Sequence, residues 1–209
     1  VSSNDGGALV MRFPDMMRFG LSQKVGSSVE ISIDGFYESW GSMGDLTFVP
    51  DNVAFTAVGQ EIKLENIVFP RRWVDTYGAR FGTRWNLPQA WAKILTDGRA
   101  VQMRFGAQWE SSATPLAEID PGALDWEKLG LTVGCGLELI KGLHVDAYFL
   151  RLLDADIDVT NSNMRTANIM HAGEIEAGRV GLETVAGNGN YKVSHQRFGL
   201  GLRYALGVN

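Results

Sequence analysis

From Trp73 onward the chain alternates apolar residues with polar residues or glycine over runs of about ten positions, the period of an extended strand. In Trp73–Leu87 one side carries Tyr77, Ala79, Phe81, Thr83 and Trp85, and the other Thr76, Gly78, Arg80, Gly82, Arg84 and Asn86. Ala100–Glu110 sets Val101, Met103, Phe105, Ala107 and Trp109 against Gln102, Arg104, Gly106, Gln108 and Glu110. Leu129–Leu139 sets Leu129, Leu131, Val133, Cys135 and Leu137 against Gly130, Thr132, Gly134, Gly136 and Glu138. Each run is a ribbon with one apolar and one polar side. The core of a soluble sandwich would be dry where these ribbons place arginine, glutamine and glutamate at mid-strand. In a membrane barrel the polar side faces a lumen and the apolar side faces lipid. The pattern predicts an all-β protein, an antiparallel up-and-down transmembrane β-barrel.

Eight strands are predicted: Ala8–Phe13, Met17–Val25, Val29–Gly41, Trp73–Leu87, Arg99–Ser112, Trp126–Leu139, His144–Val159 and Asn190–Leu206. Gly26–Ser28 and Ile140–Leu143 read as tight turns, and Ser42–Arg72, Ala113–Asp125 and Thr160–Gly189 as long loops. Outer-membrane barrels combine short periplasmic turns with long extracellular loops, which places the C-terminus in the periplasm. Two connections fit that scheme less well, because Pro88–Gly98 is long for a turn and Pro14–Met16 is short for an outer loop. Trp73, Trp85, Trp109, Tyr191 and Tyr204 fall near strand ends, as an interfacial aromatic girdle requires. Gln60–Arg72 is expected to be an outer loop or a strand extension.

The chain has 209 residues, one domain's worth, with 25 glycines, a single cysteine and a formal net charge of −5. No apolar stretch reaches the length of a membrane-spanning helix. A mean hydropathy of −0.05 is what strands showing lipid at every second residue average to. No basic stripe is present, so a nucleic-acid partner is not expected. Cys135 cannot form an internal disulfide and reads as a small outward-facing hydrophobe. No secretory leader is visible at Val1.

The inner side supplies the candidate site. Arg80, Gly82, Arg84, Arg104, Gly106, Glu110, Gly130, Gly134, Glu138, Gly199 and Gly201 are expected to face the lumen. The glycines either leave room for a plug or bulky ligand, or relieve strain in a curved sheet. The charges, with Glu30, Asp34 and Asp146, either order water, a plug or a carboxylate head group, or pair across strands as a solvated wall. Leu46, Phe48, Val49, Val53, Phe55, Ile67, Val68 and Phe69 are apolar residues of a long loop; Phe48, Val49, Phe55, Val68 and Phe69 are read as a hydrophobic capture surface.

Metal and catalytic signals are weak. Asp154, Asp156 and Asp158 share a strand face, but an EF-hand would need glycine where Val159 stands and glutamate where Arg165 stands. His144, His171 and His195 lack ligand spacing. Ser194 and His195, adjacent on a strand, point to opposite sides and cannot form a nucleophile–base pair. No nucleophile elbow or phosphate loop occurs, so neither enzyme activity nor a cofactor or metal is expected.

Several segments, in order, resemble the long-chain fatty-acid transporter family of the outer membrane (FadL/TodX type). They are Phe13-Pro14, Arg18-Phe19-Gly20-Leu21-Ser22, Asp34-Gly35-Phe36-Tyr37-Glu38-Ser39-Trp40, Trp73-Val74-Asp75-Thr76 and Ala79-Arg80-Phe81-Gly82-Thr83-Arg84-Trp85. Met103-Arg104-Phe105-Gly106-Ala107-Gln108-Trp109, Leu129-Gly130-Leu131-Thr132-Val133-Gly134 and Phe198-Gly199-Leu200-Gly201-Leu202-Arg203-Tyr204 follow. The last of these also resembles the C-terminal signal read by the outer-membrane barrel assembly machinery, with Gly207–Asn209 trailing beyond it. The resemblance implies a fourteen-stranded barrel in a Gram-negative outer membrane, of which this chain covers the C-terminal part, without the N-terminal hatch and first strands. It implies porin-like, passive transport of long-chain fatty acids or other hydrophobic compounds, with membrane lipids, the ligand and the assembly machinery as partners. Two rival readings remain: a complete eight-stranded barrel with a structural or adhesive role, whose lumen is filled, and a soluble two-sheet protein.

Overall fold

The computed structural model describes residues 6–51, 53–57, 60–63, 65–119, 124–167 and 183–205. Its main body is one antiparallel sheet of seven strands. In chain order these are β2 (Met16–Val25), β3 (Val29–Glu38), β8 (Thr76–Asn86), β9 (Val101–Glu110), β10 (Lys128–Ile140), β11 (Leu143–Val159) and β14 (Gly189–Tyr204). Each pairs with the next, so the topology is an up-and-down meander. The predicted strands are present with ends shifted by a few residues. Leu206, the predicted end of the last strand, lies outside the described residues.

The first predicted strand is a correction. Gly6–Val10 forms β1, but it leaves the main sheet and pairs with β4 (Leu46–Asp51), which also pairs with β7 (Ile67–Phe69). Pro14 precedes β2 and interrupts the extended run, so β1 is carried out to the long-loop end. Two small antiparallel strand pairs, β5 (Ala54–Ala57) with β6 (Gln60–Lys63) and β12 (Arg165–Ala167) with β13 (Glu183–Val185), also belong to the long connections. β2 and β14 do not pair, so the sheet is open, and the described residues do not form a closed eight-stranded barrel.

All long connections lie at one end of the sheet. At the other end, Gly26 and Gly142 turn the chain with positive φ of 65° and 82°. The Pro88–Gly98 connection at that end contains a helix, α1 (Gln89–Thr96). Pro88 precedes its first turn, and Asp97 and Gly98 end it in left-handed conformation.

The apolar side of the sheet is uncovered among the described residues. Phe81, Phe105, Leu131 and Leu200 are 47%, 46%, 56% and 87% exposed. From Tyr77 to Trp85 the apolar band runs about 27 Å along the strand, enough for a tilted strand to cross a bilayer's hydrocarbon. Trp85 and Tyr204 close the band at the short-turn end. Tyr77 and Trp109, rings 6.0 Å apart, close it at the other. Trp73 and Tyr191 do not join this girdle. Trp73 precedes β8 and stacks edge-on to Trp40 at 5.2 Å. Tyr191 lies beyond a bulge at Leu152/Ala155 and donates to the Gly187 carbonyl. On β14 the outward positions change from Phe198, Leu200 and Leu202 to Gln196, Ser194 and Lys192, which marks the band's upper limit there.

The long connections are tied together by one carboxylate. Glu118, 7% exposed, accepts from Arg72 Nη1 at 3.0 Å and from Asn163 Nδ2 at 2.9 Å. Three separate connections therefore converge on it. Glu118→Ala leaves both donors without their acceptor, at a cost of about 1–3 kcal/mol. The expected result is faster cleavage in the long connections during limited proteolysis of the folded protein, with the sheet intact by circular dichroism.

Candidate functional site

Strand register brings the predicted inner residues onto one face. Arg80 faces Asp34 and Gln108, and Gln108 faces Gly130. Arg84 faces Glu30 and Arg104, Arg104 faces Gly134, Gly134 faces Tyr148, and Tyr148 faces Gly199. Glu110, Glu138 and Gly201 share this side, opposite Lys128, His144 and Asp146.

The charges pair across strands. Arg84 meets Glu30 at 3.2 Å, Lys128 meets Glu110 at 2.9 Å, and Arg80 lies 3.8 Å from Asp34. Arg104 reaches across β10 to Asp146 at 2.6 Å. Gly136 leaves the lane open: a Cβ there would lie 2.7 Å from Asp146 Oδ1 and 3.2 Å from Arg104 Nη2. Glu138 accepts from the Gly142 amide at 3.1 Å and so steadies the turn. A solvated wall of paired charges is thus what the sheet presents, and each arginine named here already has its carboxylate.

The glycines divide into two sets. Gly130, Gly134 and Gly199 are seats for bulky neighbours: Leu152 lies over Gly130, and the Tyr148 side chain lies against Gly134 and Gly199. Gly78 likewise seats Phe36, which is 7% exposed and has the Arg80 guanidinium 4.9 Å from its ring centroid. Gly82 and Gly106, directly opposite each other, carry no such cover. With Ser22, Ser32 and Thr132 they form a row of small residues across five strands, bordered by the Asp34–Arg80 and Glu30–Arg84 pairs. A cavity of about 380 Å³ opens over this row.

The predicted capture residues are mostly elsewhere than at a cavity. Phe48 and Val49 lie on β4, and Val68 and Phe69 on β7 beside it. Phe48 packs over Gly7, while Val68 and Phe69 remain 52% and 46% exposed. For Phe55 the structure describes the backbone in β5 and not the side chain. Of the apolar loop residues, Leu46 lines a cavity of about 440 Å³ at the long-loop end. Its other apolar walls are Met11, Phe13, Trp40, Met43, Trp73 and Leu124, with Arg71 and Asp125 as the charged groups. Asp125 is held by Lys128 at 2.6 Å. Arg71 stacks 5.9 Å from the Trp73 ring centroid, and its Nε is buried without a hydrogen-bond partner. Among the described residues no carboxylate pairs with that guanidinium. The sequence signal for this cavity was Trp40 and Trp73, tryptophans at strand ends, but alternation could not show that the two fold toward one another.

Among the described residues no group of three or more histidine, cysteine or carboxylate side chains could hold a metal ion. Asp154 pairs with Arg151 at 2.8 Å, and Asp156 meets Asn190 and Lys192. His171 lies outside the described residues.

An open antiparallel meander with one apolar face and one polar, ion-paired face is the architecture found in the wall of a β-barrel. Among solved structures the chain is similar to a Pseudomonas aeruginosa FadL homologue, with a TM-score of 0.61 and 17% sequence identity. The match covers 91% of this chain and 35% of that one, so the chain spans about a third of its length. At that identity the likeness is one of fold. No family model matches the chain, and no curated protein matches it in sequence.

Proposed function

We propose that this chain is part of an outer-membrane channel of a Gram-negative bacterium that passively admits long-chain fatty acids or other hydrophobic compounds, with its C-terminus in the periplasm. The observation that carries the reading is the cavity at the long-loop end, where an apolar body is bounded by a guanidinium with an unanswered Nε. That arrangement suits a ligand with a hydrocarbon body and an anionic head. The uncovered apolar band supports insertion in a bilayer, where lipid is the outer partner and the barrel assembly machinery the route of entry. The small-residue row leaves room at mid-wall, and the arginines that border it, Arg80 and Arg84, are already paired with Asp34 and Glu30.

Trp40 and Trp73 report on the cavity directly. Brominated palmitate is expected to quench tryptophan emission of the detergent-folded protein, saturably. Arg71→Ala is expected to weaken that binding roughly tenfold, the worth of one charge-assisted hydrogen bond. Brominated hexadecanol, lacking the carboxylate, is expected to bind wild type and variant alike. Equal binding of palmitate to both proteins overturns the assignment of Arg71, and absence of quenching overturns the reading.

A further inference from the structure

Helix α1 carries an apolar face that nothing among the described residues covers. Trp91, Ile94 and Leu95 are 59%, 80% and 62% exposed, while Ala92 on the opposite side is buried to 1%. At about 100° per residue, Gln89, Ala92 and Thr96 form one stripe and Trp91, Ile94 and Leu95 the other. Gln89 lines a cavity on the inner side of the sheet with Asn86, Gln102, Arg104 and Glu138. The polar stripe is therefore turned to the lumen mouth, and the apolar stripe points away from it. A plug inside the barrel is on the wrong side to cover these three residues.

Away from the lumen lies the apolar exterior. β8 reaches α1 through Trp85, the outward aromatic that ends the lipid-facing band on that strand, three residues before Pro88. An apolar stripe attached at that point can continue the band past the end of the strand. The helix holds no acidic residue, and its one charge is Lys93. Tryptophan, large aliphatics and a lone cation on a short amphipathic helix are the composition of an element that lies in the boundary between lipid headgroups and acyl chains.

We infer that α1 is an interfacial helix, seated in the membrane surface on the short-turn side with Trp91, Ile94 and Leu95 embedded. This rests on the membrane-barrel reading above and adds a second mode of lipid contact: the strands cross the bilayer, and α1 lies along it. It fixes the depth of the wall at the one connection on that side too long to be a turn.

The test is depth-dependent fluorescence quenching on the full chain in vesicles of phosphatidylcholine and phosphatidylglycerol. In a Cys135→Ser background, an environment-sensitive fluorophore is attached at Ile94→Cys or, separately, at Val133→Cys in the middle of the apolar face. The label at position 94 is expected to shift to the blue and to lose more emission to lipids brominated near the headgroup than to lipids brominated deep in the chain. The label at position 133 is expected to show the reverse order. If position 133 is quenched and position 94 is not, α1 faces water or another protein and the inference fails while the barrel stands. If neither is quenched, both fail.

Discussion

Arginine at position 105 is expected to destabilise the folded protein in lipid by about 2–4 kcal/mol, the cost of a cation at the midplane of a barrel's outer surface. Phe105 is central to the apolar run Val101, Met103, Ala107 and Trp109 on β9, and its side chain is 46% exposed. On the same strand Val101→Arg, at the short-turn end, is expected to cost about 0–1 kcal/mol, because the guanidinium reaches headgroups and water. Reversible denaturant unfolding in phospholipid vesicles measures both. The pair of results has a sharp alternative. If this face were bathed in water, Phe105→Arg would be nearly neutral, and the two positions would not differ.

The second large effect is expected on the inner side. Gly78→Ala is predicted to cost about 1–3 kcal/mol, the range for forcing extra volume into a packed position. Its new Cβ would lie 2.6 Å from the backbone oxygen of Trp109 and would collide with the Phe36 ring. Neither obstacle can yield easily. The oxygen belongs to the adjacent strand, and Phe36 is held between Arg18 and Arg80 at 5.8 and 4.9 Å. Gly201→Ala supplies the comparison: a Cβ there meets only Asp146 Cβ, at an ordinary 3.6 Å, and is expected to change stability little. The midpoint of heat-modifiable gel migration ranks the two variants. Equal midpoints would mean that Phe36 has another place to go.

The alternation that made the strands legible is a local property, and so it located the seven strands of the wall and their facing. It was blind to two kinds of event. The first is a break in phase: the bulge at Leu152/Ala155 shifts the facing of β11, and the break before β2 sends β1 away to pair with β4. The second is contact between strands. No spacing rule shows that Gly134 and Gly199 exist for Tyr148, or that Arg104 reaches Asp146 over Gly136. The cavity around Arg71 is assembled from four separate stretches of chain, so of the apolar loop residues only Leu46 lies in it. Helix α1 was within reach. Pro88 at its start, Asp97-Gly98 at its end, and apolar residues at positions 91, 94 and 95 together spell a short helix, whereas length alone marks the connection only as long for a turn.

Because neighbouring strands in the meander run in opposite senses, an odd number of them leaves β2 and β14 heading in the same direction. Zipping these two margins together, or setting a twin molecule upright beside the first, would create a parallel seam. A cylinder with antiparallel joints throughout demands an odd complement of staves between the two margins. The arithmetic of direction alone thus restricts what can close this sheet into a cylinder.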